Sequence, residues 1–104
     1  LAMFLEQEGF QVDRAATLKE AETAASSHSY NLLLLDVMLP DGNADDWLPK
    51  WRKLNPEIPV LMVTGLGAND PRLRNCLNAG ALGWIPKTGR VEGLLTQVRR
   101  ALGT

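Results

Sequence analysis

Apolar residues in this chain follow two recurring patterns, short continuous runs and longer stretches in which they return every third or fourth position. The runs at 10–15, 31–36, 58–64 and 82–86 predict strands, and the stretches at 17–27, 47–54, 71–79 and 91–102 predict helices. Leu32 to Leu35 are four consecutive leucines, too few for a helix but suited to a parallel strand buried on both faces. The last helix carries the clearest stripe, made by Val91, Leu94, Leu95, Val98, Ala101 and Leu102. Leu1 to Glu8 read as the tail of a further helix, with Leu1, Phe4 and Leu5 on one face and Gly9 as its stop. The stretch at 47–54 contains Pro49, which a helix tolerates only near its start, so that helix is expected to begin at Trp47 with Asp46 as its cap. Trp47 and Trp51, one turn apart, read as packing residues. Strands alternating with helices argue for an α/β fold, a doubly wound parallel sheet with helices on both faces.

Chemistry gathers at the ends of three of these strands. The leucine run stops at Asp36, and Pro40-Asp41-Gly42 then turns the backbone away, leaving Asp36 in the crevice where open α/β sheets keep their ligands. The run Ile58 to Val63 ends at Thr64 and Gly65, and Leu82 to Ile85 ends at Pro86 and Lys87. In a parallel sheet these ends share one edge, so a carboxylate, a hydroxyl and an ammonium converge. Such a set suits phosphoryl transfer, with the carboxylate as nucleophile and the other two binding phosphoryl oxygens. Taken singly, each has a plainer reading as a loop cap, a strand-end hydroxyl or a solvated charge.

Composition narrows the class. A chain of 104 residues, 45% hydrophobic and 22% charged, can bury one core, so a single domain over 1–104 is expected. No apolar run is long enough to span a bilayer, no signal-peptide pattern opens the chain, and one cysteine fits a reducing cytoplasm. Cys76 falls with Leu73 and Leu77 on one helix face and reads as a packed thiol; His28 has no metal-ligating partner at useful spacing and reads as a helix-end residue. The net charge of −1 conceals two halves: residues 1–46 carry nine acids and two bases, residues 47–104 three acids and nine bases. Arg72, Arg74, Arg90, Arg99 and Arg100 sit on or beside the last two helices, but no aromatic-basic interleaving accompanies them, so direct nucleic-acid binding is not expected.

With Gly9 before Phe10 to Ala15, the blocks LLLLDVMLPDG, VLMVTG and AGALGWIPK come in an order and spacing that resembles the receiver domain of two-component response regulators. The resemblance covers nearly the whole chain and implies a flavodoxin-like sheet in 2-1-3-4-5 order. Carried over by residue, it implies that Asp36 is the phosphoacceptor, Thr64 the switch hydroxyl and Lys87 the phosphoryl-binding lysine. Trp84 stands where the family has its switch aromatic, and the Met38 main-chain carbonyl, with Asp36, would ligate Mg²⁺. The implied donor is a histidine kinase or a histidine phosphotransfer protein, and the implied readout a DNA-binding output domain outside this chain. Such a domain is not an enzyme beyond its own phosphorylation and slow self-dephosphorylation. Met38 and Leu66, two positions beyond Asp36 and Thr64, would flank the path of attacking water, and neither can orient one.

Two departures stand out. The family places proline after the lysine, whereas here Pro86 precedes Lys87 and Thr88 follows, an arrangement closer to regulators with a LuxR-type helix-turn-helix output. The family also holds magnesium with an acidic pair ending its first, central strand, and no segment here reads as that strand. The expectation is a domain incomplete at its N-terminus, whose open strand edge a dimer or strand-swapped oligomer would cover; the alternative is a metal-independent variant. Two other functions compete: a phosphorylation-independent pseudo-receiver, and a haloacid dehalogenase-type hydrolase. The second requires an acid two positions after the nucleophile, where this chain has Met38.

Overall fold

The computed structural model describes residues 9–87 and 91–103. Within them run α1 (Leu18–Ser27), β1 (Leu33–Leu35), β2 (Met38–Leu39), β3 (Gly42–Asn43), α2 (Ala44–Leu54), β4 (Val60–Thr64), α3 (Pro71–Asn78), β5 (Gly83–Pro86) and α4 (Val91–Leu102). β1, β4 and β5 form a parallel sheet in that order, matching the last three positions of the expected one, and Leu35, Met62 and Trp84 lie level across it. β2 and β3 form a separate antiparallel ribbon. All five residues of the central β4 are buried, because helices cover both faces of the sheet. Alternate side chains therefore go to different cores. Leu33, Leu35, Val60, Met62 and Trp84 pack with Leu18 of α1, Leu48 and Trp51 of α2, and Leu73 and Cys76 of α3. Leu32, Leu34, Leu61 and Ile85 pack with Leu94 and Val98 of α4 on the other side.

The expected strand at 10–15 is not formed among the described residues. A cleft of about 820 Å³, bordered by Phe10, Val12 and Leu33 to Leu35 and reaching Asp36 and Lys87, separates that segment from β1. A strand exists only through hydrogen bonds to a neighbour, and no described residue lies in the cleft to supply them. The helix expected at Leu1–Glu8 lies outside the described residues, as do Arg90 and the Lys87–Thr88 peptide bond.

α2 also departs from expectation. It begins at Ala44, not Trp47, with Asn43 as N-cap, and Pro49 lies inside it. The cause is tertiary: the Ala44 N–H donates to the Val37 carbonyl (2.8 Å), starting the helix straight out of β3. Ala44, Leu48 and Trp51 then form a buried stripe. An interior proline costs roughly 3 kcal/mol in lost hydrogen bonding and ring clash, and burial of a leucine and a tryptophan, about 1.5–3 kcal/mol for each large apolar side chain, offsets it. Asp45 and Asp46 in the first turn and Arg52 and Lys53 in the last oppose the helix dipole with the right signs.

Candidate functional site

Asp36 follows β1 directly, its side chain 27% exposed, and Lys87 follows β5. The Lys87 Nζ lies 2.5 Å from Asp36 Oδ2, although β4 separates their two strands. Thr64 ends β4 and is buried, 1% exposed. Its Oγ1 accepts from the Leu66 N–H (3.0 Å), which leaves the hydroxyl proton available to another acceptor. Pro86 stands opposite Thr64 in the register and has no N–H, so the bond to the Thr64 carbonyl comes from Lys87 (3.0 Å). The lysine thus reaches Asp36 with its side chain and Thr64 with its backbone. A Cβ placed on Gly65 would meet nothing within 4 Å, so the chain beyond Thr64 leaves this edge open.

The loop after Asp36 is more built than its Pro-Asp-Gly turn suggests. Met38 donates a long hydrogen bond to Asp36 Oδ1 (3.4 Å), and Met38 and Leu39 pair with Asn43 and Gly42. At the tip of this ribbon Asp41 accepts from the Leu18 N–H (2.9 Å) and the Lys19 N–H (3.1 Å), the first two amides of α1. These bonds hold its carboxyl below the ordinary carboxylate range, with the Leu18 N–H as the largest cause. Thr17 caps the third amide, from Glu20 (3.0 Å), while Glu20 reaches back to the Ala16 N–H. The sequence marks Asp41 only as a turn residue; its hold on α1 leaves no local signal, because the partners lie 22 and 23 residues away.

Met38 is 53% exposed beside the site. Trp84, half-buried, packs into the α2–α3 core on the face that Thr64 shares by strand alternation. Trp47 and Trp51 stack at 5.3 Å, and the Trp47 indole donates to Glu22 (2.6 Å), tying α1 to α2. Cys76 is buried, and burial pushes its thiol up to about 11. Arg72 is paired with Asp70 (3.1 Å), whose carboxyl it holds below the usual range.

Among the described residues, no three His, Cys, Asp or Glu side chains gather as a metal cluster. Octahedral Mg²⁺ is held by one or two carboxylates plus phosphate and water oxygens. Asp36, with the Met38 main-chain oxygen two residues on, is a hard-oxygen set of the one-carboxylate kind.

Comparison with known proteins places this architecture. A family model described as the response regulator receiver domain matches residues 1–99. The transcriptional regulatory protein PmrA of Pectobacterium parmentieri is 36% identical over 99 residues, covering 95% of this chain and 44% of that protein. The transcriptional regulatory protein CusR of Escherichia coli K12 is 35% identical over 98 residues, 94% of this chain and 43% of that one. The chain therefore spans less than half the length of these curated relatives. Among solved structures, a CheY-like receiver domain protein from Methanospirillum hungatei JF-1 superposes with a TM-score of 0.89 at 34% identity, covering 98% of this chain and 81% of that one. The receiver domain of NtrX from Brucella abortus gives 0.89 at 28% identity, covering 99% and 87%. The dehalogenase-type alternative falls with these matches, and the chain belongs to the response regulator receiver domains of two-component systems, signalling domains rather than classical enzymes.

Proposed function

We propose that this domain accepts a phosphoryl group on Asp36 from a histidine kinase or a histidine phosphotransfer protein in the cytoplasm, and passes the signal to an output domain that binds DNA. The observation that carries the reading is the meeting of three strand ends: the Lys87 ammonium on the Asp36 carboxylate, and the Lys87 N–H on the Thr64 carbonyl. An Asp36 oxygen attacks phosphorus as the bond to the leaving group breaks; the electron pair departs with the imidazole nitrogen of the donor, or with acetate when acetyl phosphate is the donor. Lys87 then transfers its ammonium from the carboxylate to the phosphoryl oxygens, where the charge has moved. The buried Thr64 donates its free hydroxyl proton to one of them, and Trp84, on the same face, repacks in response. Asp36 and the Met38 carbonyl would hold Mg²⁺, which would supply positive charge against the phosphoryl oxygens.

The test is labelling of the whole protein by acetyl phosphate with Mg²⁺. One acid-stable, base-labile phosphoryl group per chain is expected, and none in Asp36→Asn. Full labelling of that variant would refute the assignment; no labelling of the unmutated protein by any donor would favour a pseudo-receiver.

A further inference from the structure

We infer that Asp41 is a positioning residue for phosphoryl acceptance: by clamping the tip of the β2–β3 ribbon to the start of α1, it sets Met38 in place beside Asp36. The inference rests on Asp36 being the acceptor. The ribbon has two residue pairs, Met38 with Asn43 and Leu39 with Gly42, and a two-stranded ribbon is at best marginal on its own in water. Its base is fastened by the Ala44 N–H to the Val37 carbonyl (2.8 Å). Its tip is fastened by the two Asp41 bonds to Leu18 and Lys19, both with an ionised acceptor and therefore of the stronger kind. The tip also lies close against α1: Gly42 has φ +151°, and a Cβ there would stand 3.4 Å from Leu18 Cδ1, on a leucine that is 6% exposed. Met38, three residues from Asp41, carries the N–H that meets Asp36 Oδ1. With the tip released, the segment carrying Met38 keeps one firm anchor out of two. Reacting groups tolerate little drift, and a displacement of about 1 Å lowers rates by roughly 100-fold.

A plain helix-capping role is the competing account, and two variants separate them. Asp41→Ala cuts the clamp, whereas Thr17→Val removes the cap on the Glu20 N–H at the same helix end and leaves the ribbon untouched. In the whole protein, the saturated rate of labelling by acetyl phosphate and the half-saturating concentration are measured for each, together with hydrogen exchange at the Met38 amide. We expect Asp41→Ala to lower the saturated rate about 10-fold with little change in half-saturation, a loss short of that for a full 1 Å displacement, and to speed Met38 exchange. Asp41→Asn, which keeps one acceptor oxygen, restores most of the rate. Thr17→Val lowers the melting temperature but labels like the unmutated protein. Equal slowing by Thr17→Val, or an unchanged rate and exchange in Asp41→Ala, overturns the inference. Should Asp41→Ala fail to fold, Asp41→Ser, whose single short hydroxyl cannot replace both carboxylate acceptors, is read by the same two measures with the same expected and overturning outcomes. Persistent labelling of Asp36→Asn would bring down the acceptor assignment instead, a separate failure.

Discussion

Replacing Lys87 with methionine should affect stability and phosphorylation very differently. The lysine side chain is 52% exposed and its partner Asp36 27%, so the pair is solvated and competes with water and salt. Exposed pairs of this kind contribute about 0.2–1 kcal/mol, and methionine keeps the apolar stem while the Lys87 N–H bond to Thr64 belongs to the backbone and survives. The melting temperature should therefore fall by no more than roughly 4–8 °C, the shift that 1 kcal/mol produces in a domain of this size. During phosphoryl transfer the same ammonium faces oxygens gathering charge, and a hydrogen bond to a charged group is worth about 1.5–3 kcal/mol. At about 1.4 kcal/mol per decade, labelling should slow roughly 10- to 150-fold. Lys87→Arg keeps the charge but not the compact point-like head, and should recover only part of the rate. Thermal unfolding and acetyl phosphate labelling, run side by side on the whole protein, decide the matter. A Lys87→Met protein that labels at the original rate would refute the role given to the ammonium. One that loses several kcal/mol of stability would refute the view of the pair as a solvated contact.

Four further outcomes are expected. Met38→Asn and Leu66→Glu place water-orienting groups beside the phosphoryl path, and should shorten the lifetime of the label, singly or together; unchanged or longer lifetimes would remove these positions from the account. With Trp47 and Trp51 replaced by phenylalanine, fluorescence of Trp84 should change on phosphorylation; Trp51 Nε1 has no acceptor among the described residues, so that replacement strands no partner there, and an unchanged signal would point to a different output route. Asp41 and Asp70 titrate lower in the folded chain than in the unfolded one, so their stabilisation is complete above the unfolded value near 3.9 and is lost as pH falls through the depressed folded values; urea midpoints should drop below about pH 4, less steeply in Asp41→Asn. Cys76, with its thiol at about 11 against an ordinary 9.0, holds about 100-fold less thiolate at pH 8, and should react with thiol reagents only on unfolding; rapid labelling of the folded chain would contradict its burial.

What the sequence made legible was local. The stripe from Val91 to Leu102 marks α4 at the bounds observed, and the runs ending at Asp36, Thr64 and Lys87 announced their strands because a buried parallel strand writes itself as a continuous apolar run. Those ends could be grouped before any coordinates, since parallel strands share an edge; the 2.5 Å contact and the Lys87 N–H bond to Thr64 could not, being set by register. The failures share one cause. The start of α2 depends on a bond to Val37, the role of Asp41 on α1, and the state of 10–15 on a neighbour that no described residue provides. Propensity and pattern do not carry contacts of that range.

The alternation of side chains along β4 and β5 divides the molecule's responses as well as its cores. Thr64 and Trp84 point to the side occupied by α2 and α3, whereas Leu61 and Ile85 point to α4. The sheet between them, close-packed and hydrogen-bonded, is a stiff partition. A pull on the Thr64 hydroxyl consequently strains one compartment and leaves the other nearly still, so mutations under α3 should alter how the domain responds while mutations under α4 alter only how well it holds together.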